Sequence, residues 1–216
     1  MPGFFLTVEG IDGAGKSTLI ELLYQHFREV QKRLIVKTFE PGDTPFGHKI
    51  RNFLLHEKNL YLQTQHSTEL FLFLADRSQH VDVLIQPALS EDMIVICDRF
   101  TDSSLAYQVL SKMYMEKGRI KQKELQIAKK ICTFAANGLE PNLTLYLDAD
   151  PKVSLSRLYG KKKDLIEERG LSYYENVRRG YLHLANTNKK RIMTLDATKP
   201  PEMILQKALS CISLPP

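Results

Sequence analysis

Residues 10–18 read Gly10-Ile11-Asp12-Gly13-Ala14-Gly15-Lys16-Ser17-Thr18, directly after the apolar run Phe4-Phe5-Leu6-Thr7-Val8. An apolar strand, a glycine-rich turn and a Lys-Ser pair opening a helix are the parts of a phosphate-binding loop, and here they stand in the required order. Glycines at 10, 13 and 15 permit the positive φ angles that turn successive backbone N–H groups toward an anion. Lys16 adds a point charge at the β- and γ-phosphates, and Ser17 offers a hydroxyl to Mg²⁺. A helix starting near Ser17 sets its positive end beneath them. The nine residues 10–18 are therefore expected to bind ATP or GTP.

At 216 residues the chain suits one well-buried α/β unit, so a single domain over 1–216 is expected. No run of about 18 apolar residues occurs, and the N-terminus lacks a basic stretch followed by a long apolar core. A cytoplasmic protein with no membrane partner is expected. Cys97, Cys132 and Cys211 are odd in number and widely spaced, which suggests neither a disulfide framework nor a zinc site, and Cys97 reads as core filling. The net charge of +5 fits either nucleic-acid binding or anionic ligands. Basic residues come in local groups, Lys161-Lys162-Lys163, Arg178-Arg179 and Lys189-Lys190-Arg191, with no nucleic-acid module beside them. No nucleic-acid partner is expected, and the last two groups read as solvated faces.

Short β-rich runs at 4–9, 34–39, 93–97, 143–147 and 191–196 alternate with helical patterns near 17–29, 46–56, 66–90, 104–115, 121–137, 151–160, 170–188 and 201–212. This predicts an α/β fold, a five-stranded parallel sheet flanked by helices on both faces. Ligands of such sheets bind at the carboxyl ends of the strands. The residues to read are therefore the phosphate loop, Glu40-Pro41-Gly42-Asp43-Thr44, Asp98-Arg99-Phe100 and Asp148-Ala149-Asp150-Pro151.

Asp98 ends an apolar strand, the placement by which phosphate-loop enzymes hold Mg²⁺, so Ser17 and Asp98 are the metal candidates. Arg99 beside it suits paired hydrogen bonds to an acceptor phosphate, with a salt bridge to Asp98 as the alternative. Asp12 puts a carboxylate where simple anion binding would not want one, so a contact to metal or acceptor sugar is expected. An acceptor that is itself a phosphate needs no general base, because its second pKa of about 6 leaves it anionic. Phe73 and Arg77 lie one helical turn apart and could clamp a nucleobase, although Leu70-Phe71-Leu72-Phe73-Leu74 also reads as a buried helix core. Ser103, Ser104, Tyr107 and Gln108 could be surface or site. Lys161, Lys162 and Lys163 fall between two helical segments, where a basic lid over 158–168 would close on the triphosphate and exclude water.

These residues together resemble the thymidylate kinase family over essentially the whole chain. The resemblance is carried by Val8-Glu9-Gly10 through Thr18, Glu40-Pro41-Gly42, Phe73-Leu74-Ala75-Asp76-Arg77, Asp98-Arg99-Phe100, Ala106-Tyr107-Gln108 and Pro141-Asn142 through Asp148. It implies a phosphate-loop kinase fold with a lid, and transfer of the γ-phosphoryl group of ATP to dTMP with Mg²⁺, commonly by a homodimer. By match, Lys16, Ser17 and the loop glycines bind ATP phosphates, and Asp12 lies near the acceptor sugar and metal. Phe73 stacks on thymine and Arg77 reads its carbonyl. Arg51 and Arg99 contact the acceptor phosphate, Ser104, Tyr107 and Gln108 the base and sugar, and Glu40 and Pro41 line the substrate site. Gly13 with a basic lid resembles the bacterial type, in which the lid supplies the catalytic cation, here from Lys161, Lys162 and Lys163.

The chain departs from the family pattern at three positions. Phe39 stands where an arginine is usual, Asp43 where a second glycine is usual, and Leu165 at the lid arginine. Two guanidinium groups are thus missing near the phosphates, and Arg99 with the lid lysines must supply the charge. The competing readings are a kinase for another nucleotide or a deoxynucleoside, and a nucleic-acid-dependent ATPase. A GTPase would carry Asn-Lys-x-Asp, which Asn188-Lys189-Lys190-Arg191 does not match.

Overall fold

The computed structural model describes residues 3–61, 64–158 and 164–214, the side chains of Leu60 and Lys117 excepted. β1 (Phe4–Glu9) is the central strand and is buried along its whole length. Phe4, Leu6 and Val8 face the larger core with Leu19, Leu23, Ile94 and Ile96, while Phe5 faces Val95, Cys97 and Phe100 on the other side. A strand covered on both faces reads as a continuous apolar run. Its polar Thr7 shares a 2.7 Å hydrogen bond with its registered partner Thr144. β2 (Ile35–Phe39) and β3 (Ile94–Asp98) flank it on one side, β4 (Leu143–Asp148) and β5 (Ile192–Asp196) on the other, in the parallel order β2-β3-β1-β4-β5. All five expected strands form, each end within one residue. Cys97 is buried in the smaller core, as core filling requires.

Eleven α-helical segments are present among the described residues. α1 (Lys16–Gln25) follows the phosphate loop and continues into a π-helical turn, His26–Val30. α2 (Pro45–His56) starts at Thr44, whose side chain accepts from the Gly47 N–H, with Pro45 at the first position where no donor is needed. The short α3 (Lys58–Tyr61) was not anticipated, since one turn shows no periodicity. The helix expected over 66–90 is α4 (His66–His80), a π-helical turn (Val81–Ile85) and α5 (Gln86–Ser90). Pro87 lacks an N–H and its ring would strike the carbonyl one turn back, and the widened turn before it absorbs both. α6 (Thr101–Ser104), another π-helical turn (Leu105–Leu110) and α7 (Ser111–Lys117) follow β3. The remaining helices are α8 (Gln122–Ala135), α9 (Pro151–Arg157), α10 (Leu171–Thr187) and α11 (Pro201–Cys211). None of the described helices is long and apolar enough to cross a membrane.

The apolar run Leu70–Leu74 is not the buried helix core that its composition suggests. Phe71 is exposed, Leu70, Leu72 and Phe73 are half-buried, and α4 instead turns Glu69, Asp76, Arg77 and His80 inward with Leu74. The charged stripe is buried because its groups find partners on other elements: Arg77 and His80 pair with Glu40 just past β2, Asp76 accepts from the Gly42 N–H, and Glu69 pairs with Arg169. α10 then packs on the π-helical turn at 105–110, where Gly180 allows close approach. A Cβ there would lie 3.2 Å from the Ala106 backbone. That crossing carries Tyr181 of α10 to Glu9 at the end of β1 and Tyr174 to Asp12 in the loop that follows.

Candidate active site

The loop glycines take the positive φ angles that the sequence calls for, 145° at Gly10, 78° at Gly13 and 100° at Gly15. No side chain caps the N-terminus of α1, which leaves its first N–H groups to an anion. Lys16 Nζ donates to the Ile11 carbonyl at 3.3 Å and lies 3.9 Å from Asp12 and 4.0 Å from Asp98. Burial and the Arg99 charge lower its pKa, and Asp98 and Asp12 oppose them. Asp12, Gly13, Ala14, Gly15, Lys16, Ser17 and Thr18 all line a cleft of about 990 Å³, with Asp98 and Arg99 across from the loop. Gly10 and Ile11 do not line it and act through their carbonyls, Gly10 accepting from Arg99 and Ile11 from Lys16.

Arg99 holds its backbone at φ 73°, in a region that costs a non-glycine residue about 1–3 kcal/mol. The turn aims its guanidinium back across the loop. Nη2 donates to Asp12 Oδ1 at 2.5 Å and to the Tyr107 hydroxyl at 3.1 Å, and Nη1 donates to the Gly10 carbonyl at 3.0 Å and to Ser103 at 3.2 Å. The salt bridge is thus to Asp12 and not to Asp98. Asp12 Oδ2 accepts from Tyr174 at 2.9 Å and Tyr107 at 3.2 Å. Burial alone would raise the Asp12 carboxyl, but the Arg99 and Lys16 charges overcome it and hold the group well below the usual carboxylate range. Beneath this pair Glu9 accepts from the Phe100 N–H at 2.7 Å, Ser103 at 2.6 Å and Tyr181 at 2.8 Å. Burial pushes the Glu9 carboxyl up to about 7, with Asp102 acting in the same direction.

A second, tighter cavity of about 80 Å³ adjoins the cleft. Its walls bring together Glu40, Pro41, Arg51, Phe73, Arg77, Arg99, Ser104, Tyr107 and Gln108, every residue expected on the acceptor side. Asp12, Glu40, Arg51 and Arg99 line both spaces. Arg77 is 1% exposed, donates through Nε to Glu40 at 2.8 Å, through Nη1 to Ser104 at 3.0 Å and through Nη2 to the Phe100 carbonyl at 2.9 Å. Removing one partner of so buried an ion pair costs about 3–5 kcal/mol. Arg51 donates to the Pro41 carbonyl at 2.7 Å and stacks over Phe39 at 5.5 Å. Phe39 thus props one guanidinium in place of supplying another.

Asp98 Oδ1 is buried without a hydrogen-bond partner, and both Asp98 and Ser17 open on the cleft. An unsatisfied carboxylate oxygen and a hydroxyl that line one cleft at a phosphate loop form a donor set that fits Mg²⁺. Asp43 accepts from Thr38 at 2.5 Å on the cleft wall. Leu165 lines neither space and packs behind the acceptor wall. Asp148, expected at the site as a strand end, is taken by a bidentate pair with Arg178 at 2.7 and 2.9 Å. Arg191 is likewise no solvated residue, since it holds Asp102 through both nitrogens. Lys161, Lys162 and Lys163 lie outside the described residues.

Sequence reasoning missed Glu9, Tyr174, Tyr181 and Arg157. Arg157, at the end of α9, donates to the Gly13 carbonyl at 3.2 Å and lines the cleft, so a guanidinium does face the phosphate loop. The only trace in the sequence is its place one helix after the fourth strand. The tyrosines follow a helical spacing on α10 that core packing would equally explain.

With this geometry in hand, comparison with known proteins is decisive. A model of the thymidylate kinase family matches residues 8–208. The chain belongs to the thymidylate kinase family. It is 38% identical to the thymidylate kinase of Protochlamydia amoebophila, over 96% of this chain and 91% of the relative. It is also 38% identical to that of Latilactobacillus sakei, over 99% and 96%. Among solved structures, the thymidylate kinase of Ehrlichia chaffeensis superposes with a TM-score of 0.73 at 25% identity, covering 97% of this chain and 98% of the other. Family membership makes the chain an enzyme of the thymidylate kinase kind on a phosphate-loop kinase fold.

Proposed function

We infer that the protein transfers the γ-phosphoryl group of ATP to dTMP, giving dTDP and ADP. The observation that carries this reading is the shared wall, in which Asp12, Glu40, Arg51 and Arg99 line both the phosphate-loop cleft and the cavity of Phe73, Arg77 and Gln108. A donor and an acceptor seated there meet end to end across Arg99, the arrangement that in-line transfer requires.

ATP phosphates rest on the N–H groups of Gly13–Thr18 and on Lys16, and Arg157 adds a guanidinium from the far side of the loop. Mg²⁺ would be held by Ser17 and Asp98, and when bound it neutralises charge on the β- and γ-oxygens. The acceptor phosphate reaches Arg51 and Arg99, the base lies on Phe73, and Arg77 and Gln108 take its polar edge. Since the acceptor is already anionic, no side chain need remove a proton, and catalysis rests on positioning and charge stabilisation. Asp12 keeps Arg99 turned toward the junction. Lys161, Lys162 and Lys163 close the site as a lid in this reading, and changing all three to Ala should lower kcat.

Transfer from ATP to dTMP, dUMP, dCMP and thymidine tests the reading. A clear preference for dTMP supports it. Equal rates on all four acceptors, or ATP hydrolysis that rises with DNA and needs no acceptor, would refute it. A cytoplasmic location goes with the use of ATP and a free nucleotide. A homodimer goes with Phe46, Phe71, Ile127 and Phe134, exposed apolar residues on α2, α4 and α8, of which α4 packs against the other two. Light scattering on the wild type and on Phe71→Asp/Phe134→Asp would show loss of the dimer in the variant.

A further inference from the structure

Glu69 is buried on α4 one turn before Phe73, yet it does not line the acceptor cavity. It lines a separate space of about 590 Å³ behind it, with Tyr61, Arg169 and Tyr173. Its Oε1 accepts from Gln108 Nε2 at 2.9 Å, and its Oε2 accepts from the Tyr61 hydroxyl at 2.9 Å and from the Arg169 guanidinium. Arg169 is in turn held by Tyr173 at 2.9 Å.

A salt-bridged carboxylate has no proton to give, so the Gln108 amide must turn its amino group toward Glu69. Its oxygen is then the acceptor left for a ligand in the cavity that Gln108 lines. Arg77 lines the same cavity with the opposite polarity. Its Nε and Nη2 are committed to Glu40 and the Phe100 carbonyl, and Nη1 spends one N–H on Ser104, which leaves one N–H. Gln108 and Arg77 thus offer the cavity one acceptor and one donor. The matching ligand edge is a ring carbonyl beside a ring N–H, as in thymine and uracil. Cytosine presents an amino donor beside an unprotonated nitrogen and meets both groups with the wrong polarity.

We propose that Glu69, held by Arg169, is the positioning residue that sets acceptor specificity, by locking the Gln108 amide so that its oxygen faces the base. The proposal rests on the dTMP kinase reading. Glu69→Gln can donate or accept, so it releases the amide to turn over. The expected result is at least a tenfold fall in the ratio of kcat/KM for dTMP to that for dCMP, expressed as a higher KM for dTMP. The double variant Glu69→Gln/Arg169→Met removes the unpaired cation and should fold, and its ratio should stay lowered.

A ratio restored to within twofold of wild type in the double variant would mean that the ion pair serves folding alone, and would overturn the proposal. In the wild-type protein, NMR of the Gln108 side-chain amide should show one exchange-protected proton both without and with dTMP. Loss of that protection on dTMP binding overturns the proposal whether or not the variants fold. A wild-type enzyme that does not use dTMP would instead refute the functional reading.

Discussion

Arg99 donates to Asp12 across 2.5 Å from a backbone held at φ 73°, so that one guanidinium stands between the phosphate loop and the acceptor cavity. Lysine at this position would keep the charge and lose the planar fork that reaches Asp12, Tyr107, Gly10 and Ser103 together. Arg99→Lys should lower kcat about 10²–10³-fold, the scale of losing one oriented donor to transition-state charge. Steady-state kinetics with dTMP checks this, and a kcat within a few-fold of wild type would remove Arg99 from the reacting centre.

Gly13 has no room for a side chain. Its φ is 78°, and a Cβ built there runs into the Ser154 carbonyl oxygen in the middle of α9. Gly13→Ala should destabilise the protein by about 1–3 kcal/mol from backbone strain alone and displace α9 as well. Thermal unfolding measures the first effect. The second appears as a higher KM for ATP.

The same close approach brings Arg157 within reach of the loop, where it donates to the Gly13 carbonyl. Arg157→Ala should cost at least about tenfold in kcat/KM for ATP, as expected for a charge-assisted contact to phosphate. Charge restored by Arg157→Lys without recovery of activity would show that the fork, and not the charge alone, matters.

Glu9 links the site to pH. Its folded pKa of about 7 lies above the ordinary glutamate value of 4.5, so the folded state holds the proton more tightly than the unfolded chain. The stability this contributes is fully present below 4.5 and is lost as pH rises through about 7, to the order of 3 kcal/mol. Asp76, raised by burial to about 6, acts in the same direction, whereas the depressed Asp12 matters only under strongly acidic conditions. Tm should therefore fall between pH 5 and 8, and Glu9→Gln, which mimics the neutral acid, should flatten that slope. An unchanged slope in the variant would assign the pH dependence to other groups.

The strands, their order of appearance and the phosphate loop were legible in the chain because they are local. A doubly covered strand needs a continuous apolar run, and a loop that wraps phosphate needs glycines followed by Lys-Ser. The resemblance to the family carried the acceptor residues as well, and Phe73, Arg77, Tyr107 and Gln108 do share one cavity. Spacing alone left Phe73 undecided, since an apolar pentapeptide says nothing about which side of a helix has partners.

What the sequence by itself determined, then, is the parallel α/β frame and a phosphate loop at the end of its first strand. Only the tertiary structure decided which charges face which. It buried Glu69, Arg77 and His80 in place of Leu70 and Phe71, gave Arg99 to Asp12, took Asp148 away from the site with Arg178, and brought Arg157 to Gly13. Each of these pairs joins segments far apart in the chain, and a charge is buried only where folding has already delivered its partner.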